Sequence, residues 1–177
     1  MKLKRKTFGI IIIGNEVLSG KTLDTNSNYL CKELYEIGME CKEVTVIQDV
    51  EGAIIEKVNL FRDKYDFVFT TGGIGPTHDD ITSQSISKAF NDKLVLNKIA
   101  KKRLEKHYSD ETLTSARLKM AYLPSKSIII DNPVSIAPGF SIENVHVFPG
   151  VPKIFQAMLK EFIKKVGKQK KFFKKNI

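Results

Sequence analysis

Asp66-Phe-Val-Phe-Thr-Thr-Gly-Gly-Ile-Gly-Pro-Thr-His-Asp-Asp-Ile-Thr82 runs from a short apolar segment into three glycines and on into a polar, acidic stretch. Asp66 to Thr70 has the aromatic and β-branched residues of a strand buried on both faces. Gly72, Gly73 and Gly75 permit positive φ and close backbone approach, and a helix is predicted to begin near Asp79, carrying Ile81, Ile86, Ala89 and Phe90 inward. Strand, glycine turn and helix in this order place the turn beyond the carboxyl end of the strand, where open parallel α/β sheets bind their ligands. Peptide N–H groups at such a turn can point at an anion, and a phosphate fits there.

The flanking sequence repeats the alternation. Thr7 to Ile13 is a continuous apolar run suited to a central parallel strand; it ends in Gly14-Asn15-Glu16. Asp24-Thr25-Asn26-Ser27 offers helix N-caps, and Leu30, Leu34 and Ile37 follow at helical spacing before Gly38 supplies a stop. Val44 to Ile47 reads as a second strand ending at Gln48-Asp49, and Ile54, Ile55, Val58 and Phe61 mark a second helix. With the segment above, this is a βαβαβα unit, so the fold class is α/β with a mostly parallel sheet. Further on, 97–107 and 111–122 are predicted helical and 127–130 is a β run. Residues 137–142 and 145–148 flank Glu143-Asn144 as a β-hairpin in the C-terminal third, and a closing helix carries Ile154, Met158, Leu159 and Phe162. No internal repeat or linker interrupts the chain, which predicts one domain over residues 1–167 and a basic tail over 168–177.

With 42% hydrophobic and 28% charged residues, the 177-residue chain can bury a sizeable core, which excludes intrinsic disorder. No apolar run reaches the length of a membrane helix, and the N-terminus lacks the apolar segment of a secretory signal, so a cytoplasmic protein with no membrane partner is expected. The net charge of +9 sits at the ends. Residues 2–6 hold four basic groups and 160–177 eight lysines against Glu161, which leaves 17 basic against 19 acidic groups between them. That argues against a nucleic-acid surface on the folded body. Cys31 and Cys41, ten apart, fit neither a redox pair nor a zinc knuckle.

Three polar loops fall at strand ends: Gly14 to Gly20, Gln48-Asp49, and the glycine loop from Thr70 to Thr82. The glycine loop is neither a Walker loop, since no Gly-Lys-Ser/Thr follows, nor a dinucleotide fingerprint. Asp79 and Asp80 beside a phosphate would repel it unless a divalent cation intervenes or one carboxyl is protonated. The structural alternative is a capping box, for which Thr77-x-x-Asp80 has the spacing. One aspartate is explained by capping; both, with Asp49 and Glu16 at neighbouring strand ends, point to a metal-phosphate site. His78 lies where it can donate to a phosphate oxygen, while His107 and His146 have no partner at metal-ligand spacing and read as structural. No Gly-x-Ser-x-Gly elbow supports a serine hydrolase.

Thr71-Gly-Gly-Ile-Gly-Pro-Thr-His-Asp-Asp-Ile-Thr82 resembles the signature of the molybdopterin-binding-like superfamily that includes MoaB, MogA and the gephyrin domains. It is most similar to the CinA (competence/damage-inducible protein A) branch and to the N-terminal domain of eukaryotic FAD synthetase. Gly14-Asn-Glu-Val-Leu-Ser-Gly20, Asp24-Thr25-Asn26, Asn132-Pro133, Ala137-Pro-Gly-Phe140 and Pro149-Gly-Val-Pro152 extend the resemblance over about residues 7 to 160. Asn15 departs from the branch's usual Thr or Asp, and Ser135-Ile136 from its Gly-Thr. The resemblance implies a three-layer α/β/α domain, a homo-oligomer, and a nucleotide or pterin phosphate as ligand. It implies functional roles for Asp49 and Asp80, and ligand contacts from Gly14, Asn15, Glu16, Thr71, Gly72, Gly73, Gly75, Thr77, His78 and Asn132. It further implies a metal-dependent pyrophosphatase acting on an ADP-ribose- or FAD-like substrate, with Mg²⁺, Mn²⁺ or Co²⁺ at Asp79 and Asp80. Binding or adenylylation of molybdopterin in molybdenum cofactor biosynthesis, and a non-catalytic binding module, stand as the alternatives.

The closing helix can bury its apolar residues before Gly167, so deleting residues 168–177 is expected to leave ligand binding, turnover and melting temperature nearly unchanged. Sedimentation and thermal melts check this. A smaller oligomer, or a melting point several degrees lower, would place the Phe172-Phe173 pair within the fold.

Overall fold

The computed structural model describes residues 5–108 and 112–168. Of the predicted tail, residues 169–177 lie outside the described part. In chain order the elements are β1 (Thr7–Ile13), α1 (Asn15–Leu18), α2 (Asn26–Glu36), β2 (Glu40–Ile47), α3 (Glu51–Lys64), β3 (Phe67–Thr71), α4 (Thr82–Ala89), β4 (Leu94–Leu96), α5 (Lys98–His107), α6 (Ser115–Lys119), β5 (Tyr122–Pro124), β6 (Ile128–Ile130), β7 (Gly139–Ile142), β8 (Val145–Phe148) and α7 (Pro152–Lys168). Six strands form one sheet in the order β2-β1-β3-β8-β7-β6. β2, β1, β3 and β8 run parallel, and β7 and β6 continue the sheet antiparallel. β4 and β5 make a separate two-stranded antiparallel ribbon.

Side chains alternate across β1, and each face meets its own helices. Ile11 and Ile13 pack with Ile54, Val58 and Phe61 of α3, Ile86 of α4 and Leu104 of α5. Phe8, Ile10 and Ile12 pack with Leu30 and Leu34 of α2 and with Phe155, Met158 and Leu159 of α7. The result is the expected three-layer α/β/α arrangement, and burial on both faces is why the central strands read as unbroken apolar runs. The β7–β8 hairpin turns through Glu143 at φ 49. Its tip is pinned where Asn144 Nδ2 donates to the carbonyls of Arg62 and Tyr65, and the Asn144 carbonyl accepts from Val68 N–H. His146 is buried among Phe67, Phe69 and Phe162, with Nδ1 2.8 Å from Ser141 Oγ, and burial pushes its pKa down to about 3. Cys31 and Cys41 are half-buried free thiols, and Cys41 Sγ donates to the Glu43 carbonyl at 3.8 Å. No helix among the described residues is long and apolar enough to cross a membrane.

Two expectations are corrected. The helix predicted over 111–122 is confined to α6, because Thr114 Oγ1 caps Arg117 N–H and the chain from Tyr122 pairs with β4 instead. That cross-strand pairing overrides local helical pattern. The third helix begins at Thr82, not near Asp79, since Thr82 N–H is bonded to the Gly73 carbonyl and residues 73–81 stay in the loop.

α2 is held to the sheet mainly by Leu30 and Leu34, each 1% exposed. Leu34→Ala is therefore expected to cost about 2–5 kcal/mol. Urea unfolding with an unchanged slope checks it, and a loss well under this range would mean that α2 is anchored by its polar N-terminus alone.

Candidate functional site

In-register pairing sets the carboxyl ends of β1, β2, β3 and β8 at one level: Ile13 faces Ile47, Ile12 faces Thr71, and Thr71 faces Phe148. The loops that follow are packed backbone to backbone. Gly72 has φ 106, and a Cβ there would lie 2.1 Å from the Ile13 carbonyl oxygen. Gly73 has φ 68, and its Cβ would lie 2.2 Å from Thr82 Oγ1, which donates to the Gly72 carbonyl. Gly72 N–H bonds the Phe148 carbonyl, and Gly150 packs on Gly72 at the start of α7. Thr71 is buried beneath this loop: its hydroxyl donates to the Pro149 carbonyl and accepts from Asn26 Nδ2, which also donates to the Gly150 carbonyl. Thr71 therefore builds the floor of the site. Asn26, read in the sequence only as a cap and part of a motif, is the residue that ties α2 to it, and its Oδ1 remains an acceptor without a partner among the described residues. With the loop held this way, the N–H groups of Gly73, Ile74 and Gly75 make no hydrogen bond to the described residues. Three successive amides are thus left without a protein partner in the loop that leads into α4.

Asp49 and Asp80 both reach this loop. Asp49 Oδ2 accepts Asn15 N–H at 2.9 Å while Asn15 Oδ1 accepts Asp49 N–H at 3.4 Å, joining the β1 and β2 loops reciprocally. Its Oδ1 faces Gly73. Burial pushes the Asp49 carboxyl above the usual carboxylate range; Asn15 N–H opposes this, and Glu16, Asp80 and Asp79 add to it. The Glu16 carboxylate folds over Gly14, within 2.7 Å of where a Cβ would stand. Asp80 caps no helix: its Oδ2 accepts both Thr77 N–H (2.8 Å) and Thr77 Oγ1–H (2.6 Å), closing the loop on itself, and the whole carboxylate lies against Gly75, Oδ2 nearest. His78 and Asp79 pair at 2.9 Å, with side chains 92% and 78% exposed.

Among the described residues no group of three or more His, Cys, Asp or Glu is gathered to hold a metal ion. Asp49 and Asp80 each keep one oxygen without a hydrogen-bond partner among the described residues. Asn132 stands apart. It follows β6, three strands or about 14 Å from β3. Its amide is fully engaged within its own loop, donating to Ser135 Oγ and the Ala137 carbonyl and accepting from Val134 and Ser135 N–H. It shapes the rim of a cavity of about 620 Å³ lined also by Arg103, Lys106, Asp131 and Lys165. Arg103 and Lys165 both bond Asp131 across the sheet edge.

Residues 9–169 match the family described as a probable molybdopterin binding domain. A protein of Archaeoglobus fulgidus is 41% identical over 161 residues, covering 89% of this chain and 69% of that one. A putative competence-damage inducible protein of Clostridium botulinum is 38% identical over 155 residues, covering 84% of this chain but 38% of its own length. The chain thus spans well under half of the clostridial relative. Among solved structures, the protein CinA of Thermoplasma acidophilum superposes with a TM-score of 0.85 at 33% identity, covering 91% of this chain and 98% of that one. The tungsten cofactor synthesizing protein MoaB of Pyrococcus furiosus, at 22% identity and a TM-score of 0.56 with 94% of each chain covered, shares the fold. The chain belongs to the probable molybdopterin-binding-domain family, with CinA proteins among its relatives.

The raised Asp49 carboxyl has a stability consequence with a definite sign. A carboxyl held above its unfolded value favours the folded state while both states are protonated, and that contribution is lost as pH rises from about 4 through the folded-state value. Asp49→Asn keeps an oxygen for Asn15 N–H but cannot ionise. Denaturation at a series of pH values is expected to show the variant gaining on the wild type as pH rises across that window; parallel curves would mean that Asp49 ionises as freely in the folded as in the unfolded chain.

Proposed function

We propose that this member of the family binds a nucleotide or pterin phosphate on the glycine loop and hydrolyses the pyrophosphate bond of an ADP-ribose- or FAD-like substrate with a divalent metal ion. The observation that carries it is the run of open N–H groups at Gly73, Ile74 and Gly75 with Asp49 and Asp80 against the same loop. The amides are fixed before ligand arrives, so they can take up the charge that develops on phosphoryl oxygens without reorganising. Asp49, whose burial raises its proton affinity, is suited to accept a proton from the attacking water. The water oxygen bonds to phosphorus, the bridging P–O bond breaks, and the leaving phosphate departs with the bond's electron pair. Thr77 fixes the Asp80 carboxylate with one oxygen exposed to the same space. A divalent cation held by the free oxygen of Asp80 would supply Lewis-acid polarisation of the phosphates. The exposed His78–Asp79 pair is the weaker choice for that role.

Adenylyl transfer to molybdopterin would use the same amides and aspartates, and the family description is the reason to keep it as the second reading. Incubation with ADP-ribose, FAD, or ATP plus molybdopterin, each with Mg²⁺, Mn²⁺ or Co²⁺, separates hydrolysis, transfer and binding without turnover. Asp80→Asn is expected to abolish turnover while unfolding stays cooperative, because asparagine still accepts from Thr77 but is a poor metal ligand. Full turnover by that variant would remove Asp80 from the chemistry.

A further inference from the structure

The phosphate site has an electrostatic imbalance. Glu16, Asp79 and Asp80 stand near enough to Asp49 to raise its carboxyl, so an incoming phosphate meets four acids and only partial positive charge from the amides. Among the described residues, the cation from outside the loop that hydrogen-bonds it is Lys119, whose Nζ donates to the Thr77 carbonyl at 2.5 Å. Lys119 is the last residue of α6. Its neighbours Leu118 and Met120 pack on the core and Ala121 is fully buried, so the backbone is anchored while the side chain reaches a loop 42 residues away in sequence. It forms no ion pair with a described carboxylate. An ammonium group carries three donors, and a neutral carbonyl takes one of them.

On the reading of the glycine loop as the site of a diphosphate, we infer that Lys119 is its cationic arm and takes the second phosphoryl group. The amides of Gly73 to Gly75 hold one phosphoryl group. Thr77, where the ammonium rests, is two residues beyond Gly75, at most about 7 Å of extended chain, so adjacent phosphoryl groups can meet both. Lys119 offsets the repulsion from the aspartates, and the carbonyl of Thr77 holds the ammonium in place until the ligand arrives. Nothing in the sequence singles this lysine out, because 25 of the 29 basic residues are lysines.

Isothermal titration calorimetry of the full chain with ADP-ribose, inorganic pyrophosphate and AMP, at low and high salt, tests this on wild type, Lys119→Gln and Lys119→Arg, with thermal melts to confirm that each variant is folded. Loss of a charge-assisted hydrogen bond should weaken both diphosphates roughly ten- to a hundredfold in Lys119→Gln. AMP should weaken much less, the salt dependence should flatten, and Lys119→Arg should recover most of the affinity. Undiminished diphosphate binding by Lys119→Gln overturns the role of the lysine and leaves the loop reading standing. An equal loss for AMP overturns the assignment of Lys119 to the second phosphoryl group. A wild type that binds none of the three overturns the phosphate site itself and this inference with it.

Discussion

A single buried hydroxyl holds the functional end of this molecule together. Thr71 Oγ1 joins the end of β3 to the turn before α7 through the Pro149 carbonyl, and to the start of α2 through Asn26 Nδ2. These groups are buried or nearly so, with Asn26 5% exposed, so their bonds cannot be exchanged for water. Without them a donor or acceptor would be stranded in the interior, at a cost of about 1–3 kcal/mol for each. Gly72 can lie against the Ile13 carbonyl, and Gly150 against Gly72, because the strand ends are drawn to one level by this connection. The open amides are a product of that geometry: loop carbonyls and hydroxyls are committed below, and the N–H groups of residues 73–75 are left above.

The two central aspartates share a pattern. Each uses one carboxylate oxygen to fasten a loop, Asp49 on Asn15 and Asp80 on Thr77, and keeps the other without a hydrogen-bond partner among the described residues. Positioning and reactivity are thereby divided between the two oxygens of one group. A Cβ at position 75 would lie 2.7 Å from Asp80 Oδ2, whereas at Gly73 the crowding comes from Thr82 Oγ1 and Asp49 Oδ1 would stand 3.5 Å away.

Most of the fold was legible in the sequence because burial on both faces leaves an unmistakable apolar signature. β1, β3, α2 and α3 stand close to where periodicity put them, and the Glu143-Asn144 turn marked the hairpin. The ribbon of β4 and β5 was not legible, since three-residue strands carry no period and their pairing is a tertiary event. The loop acids were legible as chemistry, but the partner of Asp80 was not: Thr77-x-x-Asp80 spells a capping box, and only the Thr82–Gly73 bond, which starts the helix later, shows that the pair closes a loop instead. Asn132 was legible as a motif residue, yet its distance from β3 depends on two intervening strands that no spacing rule counts. Asn26 and Lys119 act on residues far away in sequence, and side-chain type alone cannot report reach.

The sheet's outer strand β6 has a consequence for how the molecule behaves in company. Ile128-Ile-Ile130 lies at an open edge, with Ile128 73% exposed, and such a strand presents unpaired backbone groups to any other extended chain. It is three residues long and bracketed by Lys126 and Asp131, the latter fixed by Arg103 from one helical layer and Lys165 from the other. β2, at the opposite edge, is longer but carries Glu40, Lys42 and Glu43. Both borders of the sheet are therefore guarded by charge, and the ionic clamp around Asp131 keeps a run of isoleucines from becoming a template for edge-to-edge aggregation.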